Sequence, residues 1–370
     1  MSQIYEKTPA GLIRARGLGV LFDGAPGTLN SITDVSGIGV GYTTLISGDG
    51  ELSVGDGPVR TGVTAIVPRT LSELDVPLFA GYHSFNGNGE MSGTHFIEEA
   101  GVFAGPITIT NTHSCGVTRD ATIEWMVKNF PEYMGDRFSL PVAAETYDGF
   151  LNDINGFHVT RDHVFSAIEN AGTGAIEEGS VGGGTGMKAF EFKAGSGTAS
   201  RRVSHAGQEF CVGLFVQANF GRRAELMIRG REIGKALTDP AMVCKTPDPN
   251  LSSIIGIVAT DAPLLPHQLK RLARRCPLGL GRTGTVGHHG SGDIFLAFST
   301  ANKQAVQTRD GISKLDFVPD ESLDPFFEAV VQATEEAILN SLTANRDMTG
   351  RDGNFVPALP LADVKKWFDG

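Results

Sequence analysis

Cysteine is scarce: Cys115, Cys211, Cys244 and Cys276 are the only four in 370 residues, and no two have CxxC spacing. That excludes a disulfide framework and a cysteine-based zinc or redox motif, and it fits reduced, mostly buried thiols of a cytoplasmic protein. No run of about 18 apolar residues occurs, so no membrane span is expected. The first residues, MSQIYEKTPAGLIRARG, carry charge early and lack the apolar core of about 7–15 residues that a secretory signal needs. Positive charge is in deficit, with 31 Lys and Arg against 42 Asp and Glu and a net charge of -11. Without a basic field, neither nucleic acid nor an anionic membrane surface is an expected partner.

The common catalytic signatures are missing too. There is no GxSxG elbow, no HExxH helix and no GxxxxGK[ST] phosphate loop. The segment Gly179-Ser-Val-Gly-Gly-Gly-Thr-Gly186 comes nearest to a phosphate cradle. It lacks the lysine and the following Ser or Thr, and it reads as a tight backbone turn packed near a site. The histidines do not assemble a ligand set. His288 and His289 are adjacent and would diverge on a strand, while His83, His95 and His113 lie far apart. No metal and no cofactor are expected.

What is present describes a globular α/β chain, with 41% hydrophobic and 20% charged residues. The 48 glycines gather in short clusters, as tight turns and close backbone approaches require. Apolar strands alternate with glycine turns from Ile32 to about Val67. Residues 119–130 read as an amphipathic helix with Ile123, Met126 and Val127 on one face. Buried strands are expected at Val212–Ala218, Ser253–Ala259 and Ile294–Phe298, with a hairpin around Arg229-Gly230. A helix is expected over Pro266–Arg275, and the longest over Asp324 to about Leu342. In the latter, Phe327, Val330, Val331, Ile338 and Leu342 form one stripe interrupted by Thr334. No boundary divides the chain, so residues 1–370 are read as one domain of layered sheets and helices.

The junction Asn250-Leu-Ser-Ser-Ile-Ile-Gly-Ile-Val-Ala-Thr-Asp261 joins a proline-bearing loop to a buried strand at a serine. On these residues alone the plainer reading, the exposed start of a strand, is preferred. A cut before Ser253 would nonetheless place a free α-amine, with a reference pKa of about 7.7–8.0, beside the serine hydroxyl. Such an amine can serve as general base for its own serine without a histidine.

Several segments in order along the chain resemble the DmpA-type family of L-aminopeptidase/D-esterase-amidases, which includes the β-peptidyl aminopeptidases. They are Asn86-Gly-Asn-Gly-Glu-Met-Ser-Gly93, Asn111-Thr-His-Ser-Cys-Gly-Val117, Glu145-Thr-Tyr-Asp-Gly149, Gly182-Gly-Gly-Thr-Gly-Met187 and Val216-Gln-Ala-Asn-Phe-Gly221. Ser253-Ile-Ile-Gly-Ile-Val-Ala-Thr-Asp-Ala-Pro-Leu264, Leu280-Gly-Arg-Thr-Gly284 and Gly290-Ser-Gly-Asp-Ile-Phe-Leu-Ala-Phe-Ser299 complete the likeness. The resemblance implies a four-layer αββα sandwich like that of N-terminal nucleophile hydrolases, with a different strand connectivity. It further implies self-cleavage into an α chain, 1–252, and a β chain, 253–370.

Site residues follow from the same resemblance. Ser253 matches the nucleophile, Ser291 the serine that contacts it, and Asp293 the acid that orients the pair. Asn219 and Tyr147 match residues lining the oxyanion site, and Glu145 a carboxylate for the substrate's ammonium group. The implied substrate is a short peptide, amide or ester with a free N-terminal amine, and the implied assembly a homotetramer of αβ units. Relatives commonly have glycine or asparagine where this chain has Ser252, so the cut lies at Leu251/Ser252 or Ser252/Ser253. Strand register and the spacing to Ser291 and Asp293 favour the second. Two alternatives accompany this reading: an acyltransferase of related architecture, and a non-catalytic oligomeric relative that does not mature.

Overall fold

The computed structural model describes residues 3–248, 251–307 and 311–369. The strands of its two large sheets are β1 (Gly39–Ser47), β2 (Val59–Val67), β3 (Leu78–Gly87), β4 (Val102–Phe103) and β5 (Ile107–Asn111). They continue with β6 (Val142–Thr146), β7 (Ser196–His205), β8 (Gln208–Asn219), β9 (Ser252–Thr260) and β10 (Ser291–Ser299). One sheet has the order β1-β2-β5-β6 and the other β4-β3-β10-β9-β8-β7. Pairing is parallel between β5 and β6 and between β9 and β10, and antiparallel elsewhere in both sheets.

Alternation along the strands explains the layers. In β9, Ile255, Ile257 and Ala259 point into one core with Ile66, Ile109 and Val142 of the other sheet. Ile254 and Val258 point the opposite way, into a core shared with Val330, Ile338 and Leu342. Those three belong to the helix Asp324–Thr343, which with Pro266–Ala273 covers the larger sheet, and Cys276–Arg282 packs against the long helix. On the far side, Val63 and Ala65 of β2 pack under Trp125, Met126, Val164 and Ile168. These come from the helices Cys115–Asn129 and Arg161–Glu169. The architecture is therefore the expected αββα sandwich. The long helix approaches the sheet at Gly197, where a Cβ would stand 2.0 Å from the Ala337 carbonyl oxygen.

The expected strands and long helix form with small changes of boundary, and all five residues of the long helix's stripe are buried. Arg229 and Gly230 both have positive φ, inside a turn closed by the Ile228–Arg231 bridge. The helix expected over 119–130 starts at Cys115, and its buried face is not the expected one. Val127 is 49% exposed, while Ala121, Thr122, Trp125 and Met126 are buried. Turning the Trp125–Met126 side to the sheet removes more apolar surface from water than the Val127 side would. The Gly182–Gly184 turn is wedged between elements: a Cβ on Gly183 would lie 2.6 Å from the Ile109 carbonyl oxygen, which leaves no space there for a phosphate.

Candidate active site

Strand β9 follows the segment that leaves β8, and it lies between β8 and β10 in the larger sheet. Register sets Ser252 opposite Ser291 and Ser253 opposite Gly292 on one side, and Ser253 opposite Asn219 on the other. The two adjacent serines point to different faces. Ser253 shares the inter-sheet side of Ile255 and Ile257, and Ser252 the side of Ile254. Ser253 is 2% exposed and its Oγ has no hydrogen-bond partner among the described residues. A buried hydroxyl left unpaired costs about 1–3 kcal/mol, so a packing explanation for this serine is poor.

On β10, Ser291 Oγ donates to Asp293 Oδ1 at 2.6 Å and does not reach Ser253 Oγ in this unbroken chain. Asn86 Nδ2 donates to the other oxygen, Oδ2, at 2.9 Å. Burial pushes the Asp293 carboxyl above the ordinary range, opposed by Ser291, Asn86 and the backbone N–H of Ile254. That last bond ties Asp293 to the residue following Ser253. Gly292 faces the turn at Asn88-Gly89, where a Cβ would stand 2.4 Å from the Asn88 carbonyl oxygen. Only glycine lets that turn close over the strand.

Asn219 ends β8. Its Oδ1 accepts the Lys188 backbone N–H at 3.1 Å, and its Nδ2 donates to the Tyr147 carbonyl at 2.9 Å. A primary amide has two N–H groups, so one remains for a ligand. Tyr147 thus meets Asn219 through its carbonyl, while its ring lies over Gly149. Burial raises the Tyr147 phenol.

Glu145 is 3% exposed. It accepts the Glu90 backbone N–H at 2.8 Å and the Thr112 hydroxyl. Burial raises its pKa, and these two hydrogen bonds oppose the rise. Among the described residues no lysine or arginine pairs with it. A cleft of about 320 Å³ collects Glu90, Thr112, Glu145, Tyr147 and Ser253. Leu251 and Ser252 line this cleft and also a smaller recess with Asn219, Lys188, Arg222 and His288. Ser253, Tyr147 and Glu145 thus share the cleft, Asn219 borders it, and Ser291 with Asp293 forms a bonded pair on the next strand. An apolar hollow lined by Phe96, Phe103, Met126 and Phe138 shares no residue with it.

Sequence reasoning singled out none of Asn86, Thr112 or Lys188 individually. The first two lie in segments already quoted for the family likeness, but nothing in their local pattern marks them as donors. Buried Lys193 donates to the carbonyls of Met187 and Ala194, at 2.6 and 2.8 Å. Burial pushes its ammonium down and the nearby Asp148 carboxyl up. His288, expected to bind no metal, pairs with Glu225 at 2.8 Å.

Several known proteins resemble this chain. A β-peptidyl aminopeptidase of Sphingosinicella microcystinivorans is 49% identical over 95% of this chain and 91% of its own length. The solved L-aminopeptidase D-Ala-esterase/amidase of Ochrobactrum anthropi, described as a serine aminopeptidase prototype and a variant of the Ntn hydrolase fold, is 48% identical. It superposes with a TM-score of 0.88 over 95% of this chain and 96% of its own. A β-aminopeptidase of Burkholderia sp. is 42% identical, with a TM-score of 0.85 over 96% and 98%. The profile of peptidase family S58 matches residues 30–356, a span that holds every site residue described above, and the chain belongs to that family.

Proposed function

We propose that this S58 peptidase is a self-processing serine aminopeptidase and amidase for short peptides, amides and esters with a free N-terminal amine. The observation that carries the proposal is the buried Ser253 hydroxyl, without a hydrogen-bond partner among the described residues, at the start of a strand and in one cleft with the Glu145 carboxylate, which pairs with no lysine or arginine among them. In the precursor, Ser253 Oγ attacks the Ser252 carbonyl carbon, and the peptide bond gives way to an ester while the Ser253 nitrogen takes a proton. Water then hydrolyses the ester, leaving a carboxylate on Ser252 and a free α-amine on Ser253.

In the matured enzyme that amine accepts the hydroxyl proton as Oγ attacks the scissile carbonyl. The free N–H of Asn219 stabilises the oxyanion, and Tyr147 fixes Asn219 through its carbonyl. Ser291 and Asp293 orient the α-amine. Their side chains lie on the opposite face from Ser253 Oγ, and Asp293 accepts the N–H of the following residue. The leaving amine takes the proton, and water resolves the acyl-enzyme. Glu145 receives the substrate's ammonium group, since a buried carboxylate is stabilised by a cationic partner. We further propose a cytoplasmic homotetramer of αβ units acting without a cofactor.

Denaturing electrophoresis and N-terminal sequencing of the purified protein test this reading. Two fragments are expected, the smaller beginning Ser-Ile-Ile, and Ser253→Ala should remain one inactive band. A small fragment beginning Ser-Ser, or a Ser253→Ala chain still cut at this bond, would remove Ser253 as nucleophile.

A further inference from the structure

The segment just before the scissile bond has little apolar anchorage. Ala241, Val243, Cys244, Lys245 and Pro247 are all exposed, and only Met242 leans on the small core of Phe150, Leu151 and Val356. Polar contacts hold it instead. Val243 and Phe355 exchange two backbone hydrogen bonds of 2.9 Å. Asn354 is completely buried, and its Oδ1 accepts the backbone N–H groups of Lys245, at 2.8 Å, and Thr246, at 3.2 Å. Its Nδ2 donates to Thr246 Oγ1 at 2.8 Å and to the Phe150 carbonyl at 2.9 Å. Two residues on, Asp248 pairs with Lys188 Nζ at 2.8 Å. The same Lys188 gives its backbone N–H to Asn219 and lies over the Phe150 ring.

These contacts form one connected device. Asn354 belongs to the segment after the cut, Asp248 and Thr246 to the segment before it, and Lys188 joins the linker to the oxyanion residue. Asp248 precedes Ser253 by five residues, about 17 Å of fully extended chain, so fixing it limits where the Ser252 carbonyl can go. Downstream, β9 is held by β8 and β10. Self-cleavage needs the Ser252 carbonyl held on Ser253 Oγ, and the gain from such positioning is lost steeply with misplacement. Turnover of a separate substrate has no such need, because the linker is then no longer the reactant.

Resting on the self-processing reading above, we infer that Asn354, Thr246 and the Lys188–Asp248 pair form a clamp that presents the Ser252–Ser253 bond for cleavage and is dispensable for turnover. The test follows wild type, Asp248→Asn and Asn354→Ala by pulse-chase in cell-free translation, resolving uncut from cut chain. Each variant should be cut about tenfold more slowly than wild type. The matured fraction, counted as cut chains, should keep kcat/KM on an aminoacyl p-nitroanilide within twofold of wild type. Asp248→Asn is isosteric and half-buried, so it reports even if Asn354→Ala fails to fold. Normal cutting of Asp248→Asn and of any folded Asn354→Ala, in a background where wild type is cut, overturns the clamp alone. So does a fall in kcat/KM of the matured chains parallel to the fall in cutting. An uncut wild type overturns the self-processing reading, and the clamp with it.

Discussion

Replacing Asn219 by alanine separates a catalytic amide from a structural one. In the fold this side chain makes two hydrogen bonds, to the Lys188 N–H and the Tyr147 carbonyl. Its removal leaves both groups unpaired in a buried place, at a cost of about 1–3 kcal/mol each. Together the two come to about 2–6 kcal/mol, and with an unfolding entropy of about 0.8 kcal/mol per kelvin for 370 residues the melting temperature should fall by about 3–8 °C. In the proposed mechanism the second amide N–H meets the oxyanion, and losing such a donor typically lowers kcat about 10²–10³-fold. Asn219→Asp provides the companion measurement. It keeps an acceptor for Lys188 but sets a carboxylate oxygen against the Tyr147 carbonyl and brings negative charge to the oxyanion. Its kcat should fall at least as far as that of alanine. The assay is steady-state hydrolysis of an aminoacyl p-nitroanilide, normalised to cut chains so that any loss of self-cleavage is not counted as a loss of turnover, with calorimetry alongside. A kcat within about threefold of wild type, accompanied by the expected loss of thermal stability, would refute the oxyanion role and leave Asn219 a structural tie.

Glu145→Gln keeps one oxygen for the Glu90 or Thr112 bond but removes the charge. KM for substrates with a free amine should rise about 10- to 100-fold with little change in kcat, the pattern of lost uniform binding; an unchanged KM would exclude an ammonium site there. The pH profile has two limbs of known sign. On the alkaline side, kcat/KM should climb through the α-amine pKa, about 7.7–8.0, as Ser253 gains its base. On the acid side, burial raises Glu145, so it takes up its proton at a higher pH than an ordinary glutamate and attraction for the ammonium is lost as pH falls. KM should therefore rise on acidification while the pH is still above about 4.3, the ordinary glutamate value. A KM flat through that range in wild type would contradict the assignment, and Glu145→Gln should abolish this dependence.

Much of the fold was legible because the strands that build it have simple patterns. Val212–Ala218, Ser253–Ala259 and Ile294–Phe298 are apolar runs broken only by Gln217 and Ser253, as strands buried on both faces require. The helix over Cys115–Asn129 was read one face off, because its buried side includes Thr118 and Thr122, whose hydroxyls are satisfied within the helix at 2.9 and 2.7 Å. A hydropathy stripe does not count such threonines as apolar. The site was legible only through whole segments resembling a family. Asn86, Thr112 and Lys188 act on Asp293, Glu145 and Asn219 across separations of 207, 33 and 31 residues, and local pattern carries no sign of such contacts.

The neighbouring serines show where pattern and geometry meet. Composition could not choose between Ser252 and Ser253, since both stand at the same boundary of loop and strand. A strand turns successive side chains to opposite faces, and β9 is sealed by apolar residues on both. Ser253 therefore goes with Ile255 and Ile257 toward the smaller sheet, where β6 and the loop after it bring Glu145 and Tyr147. Ser252 goes with Ile254 toward the side of Ser291 and Asp293. The Ser253 hydroxyl faces the cleft with Glu145 and Tyr147, while the N–H of the next residue, Ile254, is held by Asp293. Sliding the nucleophile by one residue would exchange those surroundings. This parity, together with the register to Gly292 and Asn219, is the physical content of the preference for cutting between Ser252 and Ser253.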